Sequence, residues 1–125
     1  AIITGRTSKI VSDRVHQLGI KHLVQGREDK LTALKELTRN MGLDWQAMAY
    51  MGDDLPDLSA IMQVGLGITV PNAALTLSQY SQYVTQREGG GGAVREVCDL
   101  IMQSQGSWQD ALAAYALPSE ELIHL

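Results

Sequence analysis

The stretch Met48-Ala49-Tyr50-Met51-Gly52-Asp53-Asp54-Leu55-Pro56-Asp57 changes from apolar to acidic within a few residues. Its first four residues are typical of a short buried strand. Pro56 fits the first turn of a helix, where its missing N–H costs nothing. The sequence therefore predicts three carboxylates on one strand-to-helix turn.

Carboxylates this close repel one another unless a cation lies among them. Oxygen ligands on a tight loop suit Mg²⁺, which takes one or two carboxylates and leaves its other positions to water and substrate oxygens. Asp53 is the best candidate for a direct ligand. Asp54 and Asp57 have two readings, because a helix cap and a favourable first-turn charge would place them equally well.

Short apolar runs and helical patterns alternate on both sides of this turn. Alternation at this spacing predicts an α/β fold, a mostly parallel sheet with helices on both faces. Ser8 and Asp29 are predicted to cap two of the helices, which Gly19 and Gly42 end. Strands are expected at 1–3, 20–24, 48–51, 67–70 and 83–85, and further helices from Pro56, at 74–79 and at 93–105. One domain is expected, with its core in 1–88 and a glycine-rich segment and helical tail in 89–125.

Ligands gather at the carboxyl ends of the strands in such sheets, and Thr4-Gly5-Arg6 follows the first strand. The Thr4 hydroxyl and the N–H groups beside Gly5 could cradle a phosphate, although a simple turn is the commoner reading. Lys30 opens a helix, where the dipole disfavours a cation, so it either faces an anion or is a solvated surface lysine. Arg6 and Arg14 either clamp an anionic group at the strand ends or are surface charges.

The overall composition narrows the classes of partner. A net charge of -4 argues against a nucleic acid, because phosphate contacts need clustered Lys and Arg. No apolar run approaches the ~20 residues of a membrane span. Cys98 is the only cysteine and cannot form an internal disulfide, which indicates a reducing cytoplasm. Its apolar helical surroundings predict a buried, inert thiol.

The order of these motifs carries a resemblance. A strand ending Ile2-Ile3-Thr4-Gly5-Arg6, a helix-opening Lys30, and then Tyr-Met-Gly-Asp-Asp-x-x-Asp resemble motifs two, three and four of the haloacid dehalogenase superfamily. With the run 89–100, GGGGAVREVCDL, the chain is similar to the phosphatases of 3-deoxy-D-manno-octulosonate 8-phosphate (KDO 8-phosphate) in lipopolysaccharide inner-core biosynthesis. The similarity covers residues 1 to about 106. It implies a Rossmann-like three-layer α/β/α core with the first strand segment missing.

The resemblance also implies roles for the substrate-facing residues. Thr4 would hold the transferring phosphoryl group, and Lys30 would neutralise its charge. Gly5, Arg6 and Arg14 would contact the small phosphorylated sugar acid.

For the metal, the resemblance implies that Asp53 binds Mg²⁺ directly and that Asp54 and Asp57 act indirectly or orient the loop. It further implies a bacterial, cytoplasmic homotetramer in which the segment Gly89 to Gly92 lies near a neighbouring active site. A plain flexible linker is the other reading of that segment.

One motif of the family has no match in the sequence. The first motif, Asp-x-Asp, supplies the nucleophile, an acid/base group and a metal ligand, and it is absent before Thr4. We therefore expect it on an upstream segment of roughly 50 residues, the size of a βαβ-type unit. Residues 1–125 alone are expected to be unstable and inactive.

Three alternatives remain open from the sequence. A two-component receiver domain uses similar residues, but its acidic pair comes first and its Lys last, against the order found here. A non-catalytic relative, kept as a binding or oligomerisation module, would suit the absent nucleophile. A phosphatase of a related sugar-acid phosphate, such as a sialic acid phosphate, would use the same site.

Overall fold

The computed structural model describes residues 1–39, 41–74 and 76–114. Strands and helices alternate through most of this part of the chain, as the sequence predicts. The strands are β1 (Ile2–Ile3), β2 (Leu23–Val24), β3 (Ala49–Met51), β4 (Leu66–Thr69) and β5 (Tyr83–Val84). The helices are α1 (Lys9–Gln17), α2 (Lys30–Thr38), α3 (Leu58–Gln63), α4 (Leu77–Tyr80), α5 (Ala93–Gln105) and α6 (Trp108–Ala113). Two short 3-10 helices cover Trp45–Ala47 and Leu55–Asp57.

All strand pairs described are parallel, but they form two sheets rather than the single sheet predicted. β1 pairs with β2, and β3, β4 and β5 pair in that order. Ile3 and Tyr50, one from each sheet, pack against the same buried cluster. The two sheets therefore share a hydrophobic core, and hydrogen-bonded pairing is interrupted between β1 and β3.

The buried hydrophobic residues of the shared core are aliphatic, as expected for a sequence without phenylalanine. Leu34 of α2 meets Ala60 of α3 and Val64 just after it, and these three residues form the centre of the cluster. Ile61, Ile68 and Leu77 are also fully buried. The core thus packs α2 against β1 and α3 against β3.

The helix boundaries show which capping predictions hold. The Ser8 side chain accepts from the Val11 N–H at 3.4 Å, which confirms the start of α1. Asp29 occupies the N-cap position of α2 but makes no capping hydrogen bond. Its carboxylate binds the Arg27 guanidinium instead, so the prediction of a side-chain cap is wrong. Two parallel hydrogen bonds from a guanidinium cation are stronger than a single bond from a backbone N–H, so the carboxylate pairs with Arg27.

Helix α5 matches its predicted bounds, yet the prediction of a buried Cys98 is wrong, because the thiol is exposed. The buried stripe of α5 is Ala93 and Val97, and Cys98 lies about 100° further around the helix. Within the segment predicted as a helical tail, Trp108–Ala113 form α6, and positions 115–125 lie outside the described residues. None of the helices in the described ranges is long and apolar enough to cross a membrane.

Candidate active site

A cavity of about 380 Å³ opens where β1 and β3 end. The end of β1, the start of α2, the acidic turn and the glycine-rich segment all contribute to its wall. The polar and small residues that line it include Thr4, Lys30, Gly52, Asp53, Asp57 and Gly89. The rule that ligands gather at the carboxyl ends of parallel strands therefore identifies this cavity as the candidate site.

Asp57 organises the acidic turn. One carboxylate oxygen, Oδ1, accepts from the Tyr50 hydroxyl at 2.7 Å and from Lys30 Nζ at 3.4 Å. The other, Oδ2, accepts from the backbone N–H groups of Asp53 at 3.1 Å and Asp54 at 3.2 Å. Its side chain is 8% exposed. With four donors around it, this carboxylate holds the loop in shape rather than offering lone pairs to a ligand.

Gly52 is required by the same arrangement. A Cβ at this position would overlap the Asp57 carboxyl group. The close approach of the Asp57 side chain to the Gly52 backbone brings Oδ2 within reach of the following two N–H groups. Glycine here serves contact rather than a left-handed backbone.

Lys30 is held inside the molecule, so its reading as a solvated surface lysine is wrong. Its side chain is 12% exposed, and Nζ donates to the Ile3 carbonyl at 3.2 Å as well as to Asp57. An ammonium group has three N–H donors, and the described residues occupy two of them. The cation is therefore fixed at the cavity wall with a donor left over, and the Asp57 charge offsets the unfavourable helix dipole.

The two remaining carboxylates of the turn differ in their contacts. Asp54 accepts from the Leu55 N–H at 2.8 Å and caps the 3-10 helix. Asp53 is exposed, and within the described ranges its carboxylate has no hydrogen bond or ion pair, although it lines the cavity. Among the described residues, Asp53 is thus the carboxylate of the turn that has neither oxygen engaged.

No group of three or more His, Cys, Asp or Glu side chains in the described part of the chain could enclose a metal ion. A carboxylate without partners among the described residues, in a cavity also lined by the Lys30 ammonium, still suits Mg²⁺, which takes as few as one protein carboxylate and completes its shell with water and substrate oxygens. The carboxylate available at this site therefore suits a Mg²⁺ ion whose remaining ligands come from water and substrate.

Tyr50 is the residue of the site that sequence reasoning missed. Burial and the hydrogen bond to Asp57 both raise the pKa of its hydroxyl, so it remains a donor at any physiological pH. Residues two apart in a strand point to the same face, and Tyr50 lies two positions before Gly52, against which Asp57 packs. That alternation is the signal that could have found it.

The structure does not bring every predicted binding residue to the cavity. Thr4 lines it, and its hydroxyl accepts from the Arg6 N–H at 3.3 Å. Gly5 packs against Glu28, which a Cβ would overlap. The Arg6 and Arg14 side chains are exposed and do not line the cavity. Their contact with substrate stays a prediction.

The glycine-rich segment packs against other residues of the same chain. Gly89 and Gly90 line the cavity, and the Gly89 N–H donates to Asn72 Oδ1 at 2.9 Å. Glu96 accepts from the N–H groups of Gln86 and Arg87, both at 3.0 Å. The segment thus forms part of the wall in one chain, and a contact with a neighbouring active site stays a prediction.

Comparison with known proteins identifies relatives of this chain. The family model for haloacid dehalogenase-like hydrolases matches residues 3–97. The 3-deoxy-D-manno-octulosonate 8-phosphate phosphatases KdsC of Yersinia pestis and Escherichia coli K12 are 48% and 46% identical over 111 residues. Each alignment covers 89% of this chain and 59% of the relative. This chain therefore spans less than two thirds of the length of these relatives.

Solved structures give the same result. The Moraxella catarrhalis 3-deoxy-D-manno-octulosonate 8-phosphate phosphatase, in complex with magnesium, phosphate and KDO, aligns with a TM-score of 0.88 at 48% identity, covering 91% of this chain and 66% of that one. The cobalt-bound Haemophilus influenzae phosphatase aligns with a TM-score of 0.81 at 36% identity, covering 86% and 63%. These alignments confirm the predicted α/β fold. Since the family model extends over most of its length, the chain belongs to the haloacid dehalogenase-like hydrolase family.

Proposed function

We propose that the complete protein is a magnesium-dependent phosphatase that hydrolyses the phosphomonoester of KDO 8-phosphate. The observation that carries the proposal is that one cavity brings together the Lys30 ammonium and the free Asp53 carboxylate. A cation that binds phosphoryl oxygens thus lies in the same cavity as an acceptor for a divalent ion. The KDO-bound relative supports the choice of sugar acid.

The chain's own residues would position and neutralise the phosphoryl group. Thr4 donates its hydroxyl to a phosphoryl oxygen, and Lys30 places positive charge where negative charge develops in the transition state. Because the Lys30 side chain is largely shielded from water, its interaction with that charge is stronger than it would be in bulk solvent.

Asp53 is the residue that would hold Mg²⁺. The ion, when bound, supplies charge neutralisation at the phosphoryl oxygens. Asp54 and Asp57 act by orienting the loop. The occupied oxygens of Asp57 and the cap formed by Asp54 support this assignment.

The attacking group is proposed to be an aspartate carboxylate upstream of Thr4 in the complete protein. One carboxylate oxygen forms a bond to phosphorus while the bond to the sugar oxygen breaks, which gives a phosphoaspartate. The sugar leaves as its alcohol, because the second aspartate of the upstream Asp-x-Asp motif donates a proton to the departing oxygen. Water then cleaves that acyl phosphate and releases inorganic phosphate. Lys30 neutralises the negative charge in both steps.

The biological setting is proposed from the family resemblance of the sequence. The protein would act in the bacterial cytoplasm, in the synthesis of the lipopolysaccharide inner core. It would act as a homotetramer with Gly89 to Gly92 near a neighbouring active site. Sedimentation of the complete protein tests the subunit number.

Phosphate release by the complete protein, measured over a panel of phosphorylated sugar acids and a Mg²⁺ titration, tests the function. We expect KDO 8-phosphate to be the preferred substrate and chelation to abolish turnover. Equal rates across the panel would contradict the substrate, and preference for a sialic acid phosphate would replace it. Binding of the sugar acid without turnover would indicate a non-catalytic module.

A further inference from the structure

We infer that Tyr50 is a positioning residue, whose hydroxyl occupies Asp57 Oδ1 and so keeps the Lys30 ammonium available to the anion in the cavity. This inference rests on the proposed function and adds a residue to that site. It starts from two donors that share one oxygen. Oδ1 of Asp57 lies 2.7 Å from the Tyr50 hydroxyl and 3.4 Å from Lys30 Nζ.

The two distances show which donor holds the carboxylate. An ammonium bound tightly to a carboxylate lies at about 2.7–2.9 Å, and the Lys30 contact is longer. The phenol makes the short bond. Oδ1 is therefore satisfied mainly by Tyr50, while the Asp57 charge remains close enough to hold the Lys30 side chain in place.

The other contacts of Lys30 fit this division. Nζ also donates to the Ile3 carbonyl at 3.2 Å, so backbone and carboxylate restrain the ammonium from two sides. Neither contact is short. The remaining donor belongs to a side chain that lines the cavity beside Thr4. An ammonium restrained by two long hydrogen bonds can form a short bond to an incoming phosphate without breaking a strong bond within the protein.

Removing the Tyr50 hydroxyl should change this balance. Asp57 is 8% exposed, and a buried acceptor that loses its partner is costly to leave unsatisfied. Oδ2 is engaged by two backbone N–H groups, so Lys30 is the donor closest to Oδ1 that can compensate. The ammonium should move toward Asp57 and away from the anion.

The first test is inorganic phosphate binding to the complete protein in Mg²⁺, measured by calorimetry for Y50F. We expect affinity to fall about tenfold, the equivalent of one hydrogen bond to a charged group. Y80F is the control, because Tyr80 is 45% exposed and does not line this cavity. Its phosphate affinity should stay within about twofold. Unchanged affinity in Y50F would overturn the inference.

The second test is a mutant cycle on thermal stability, which needs neither phosphate nor turnover. If Lys30 becomes the main donor to Oδ1 when the hydroxyl is absent, K30M should lower the melting temperature more in the Y50F background than in the wild type. An equal or smaller loss in the Y50F background would refute the inference. If the wild type neither binds phosphate nor hydrolyses substrate, the proposed function fails, and the cycle still decides the role of Tyr50.

Discussion

Asp57 accepts a hydrogen bond from the backbone N–H of Asp53, four residues earlier, at 3.1 Å. The acidic turn is therefore shaped by the last of its own carboxylates. The same side chain pairs with the ammonium of Lys30. This relationship separates two tasks that look alike in sequence, since Asp57 builds the loop while Asp53 is left with free oxygens. Substitution should separate them experimentally.

Asp57→Asn should destabilise the protein. The substitution removes the charge that compensates Lys30, and an amide cannot accept from all four donors that surround Asp57. Breaking a largely buried ion pair costs about 3–5 kcal/mol, which urea denaturation would detect. Asp99→Asn is the control, because it breaks an ion pair with Arg95, which is 77% exposed, and pairs of that kind contribute about 0.2–1 kcal/mol. Equal losses in the two variants would contradict the structural role of Asp57.

Asp53→Asn should have the opposite profile. Its carboxylate is exposed and lacks partners among the described residues, so the free energy of unfolding should change by no more than about 0.5 kcal/mol. Mg²⁺ binding, measured by calorimetry on the complete protein, should be lost together with turnover. Asp13→Asn, at an exposed position of α1, should leave both unchanged. Retained turnover in Asp53→Asn would remove the metal role.

Gly52→Ala should disturb the turn without changing any charge. The new Cβ would overlap the Asp57 carboxyl group, and overpacking of this kind costs about 1–3 kcal/mol. Gly89→Ala is the matched control, because its Cβ would have its nearest neighbours at 3.6 Å, an ordinary contact. We expect urea denaturation to show a clear loss for Gly52→Ala and a change within about 0.5 kcal/mol for Gly89→Ala. Similar values for the two would show that the approach of Asp57 to Gly52 is not required.

Much of this site could be predicted from the sequence because its residues sit at positions with local rules. Thr4 follows a strand, Lys30 opens a helix and Asp53 lies on a strand-to-helix turn, and all three line one cavity. The parallel pairing could also be predicted from the alternation of elements. What these positions share is that the fold class alone brings them to one end of the sheet.

The features that could not be predicted depend on direction or on distant partners. The sequence spacing places Arg14 on α1 but does not show which side of the helix its side chain is on. The Arg14 side chain is exposed, next to the buried Val15. The exposure of Cys98 could not be predicted for the same reason. Asp29 lies at the N-cap position of α2, but its carboxylate pairs with the guanidinium of Arg27 and does not cap the helix. The Tyr50 bond joins residues seven apart, which pattern rules for single elements do not connect.

The last prediction concerns Glu96, which fixes the start of the glycine-rich segment and should make stability depend on pH. The Tyr83 hydroxyl first, and then the Arg87 N–H, hold the pKa of the Glu96 carboxyl below its usual 4.5. A depressed pKa contributes stability that is fully present above pH 4.5 and is lost as the pH falls through the folded-state value. Glu96→Gln should therefore lower the urea midpoint at pH 7, and its difference from the wild type should narrow below the usual pKa. Glu88→Gln, at an exposed position, should follow the wild-type curve throughout. A difference between Glu96→Gln and the wild type that is constant with pH would show that the Glu96 charge does not stabilise this segment.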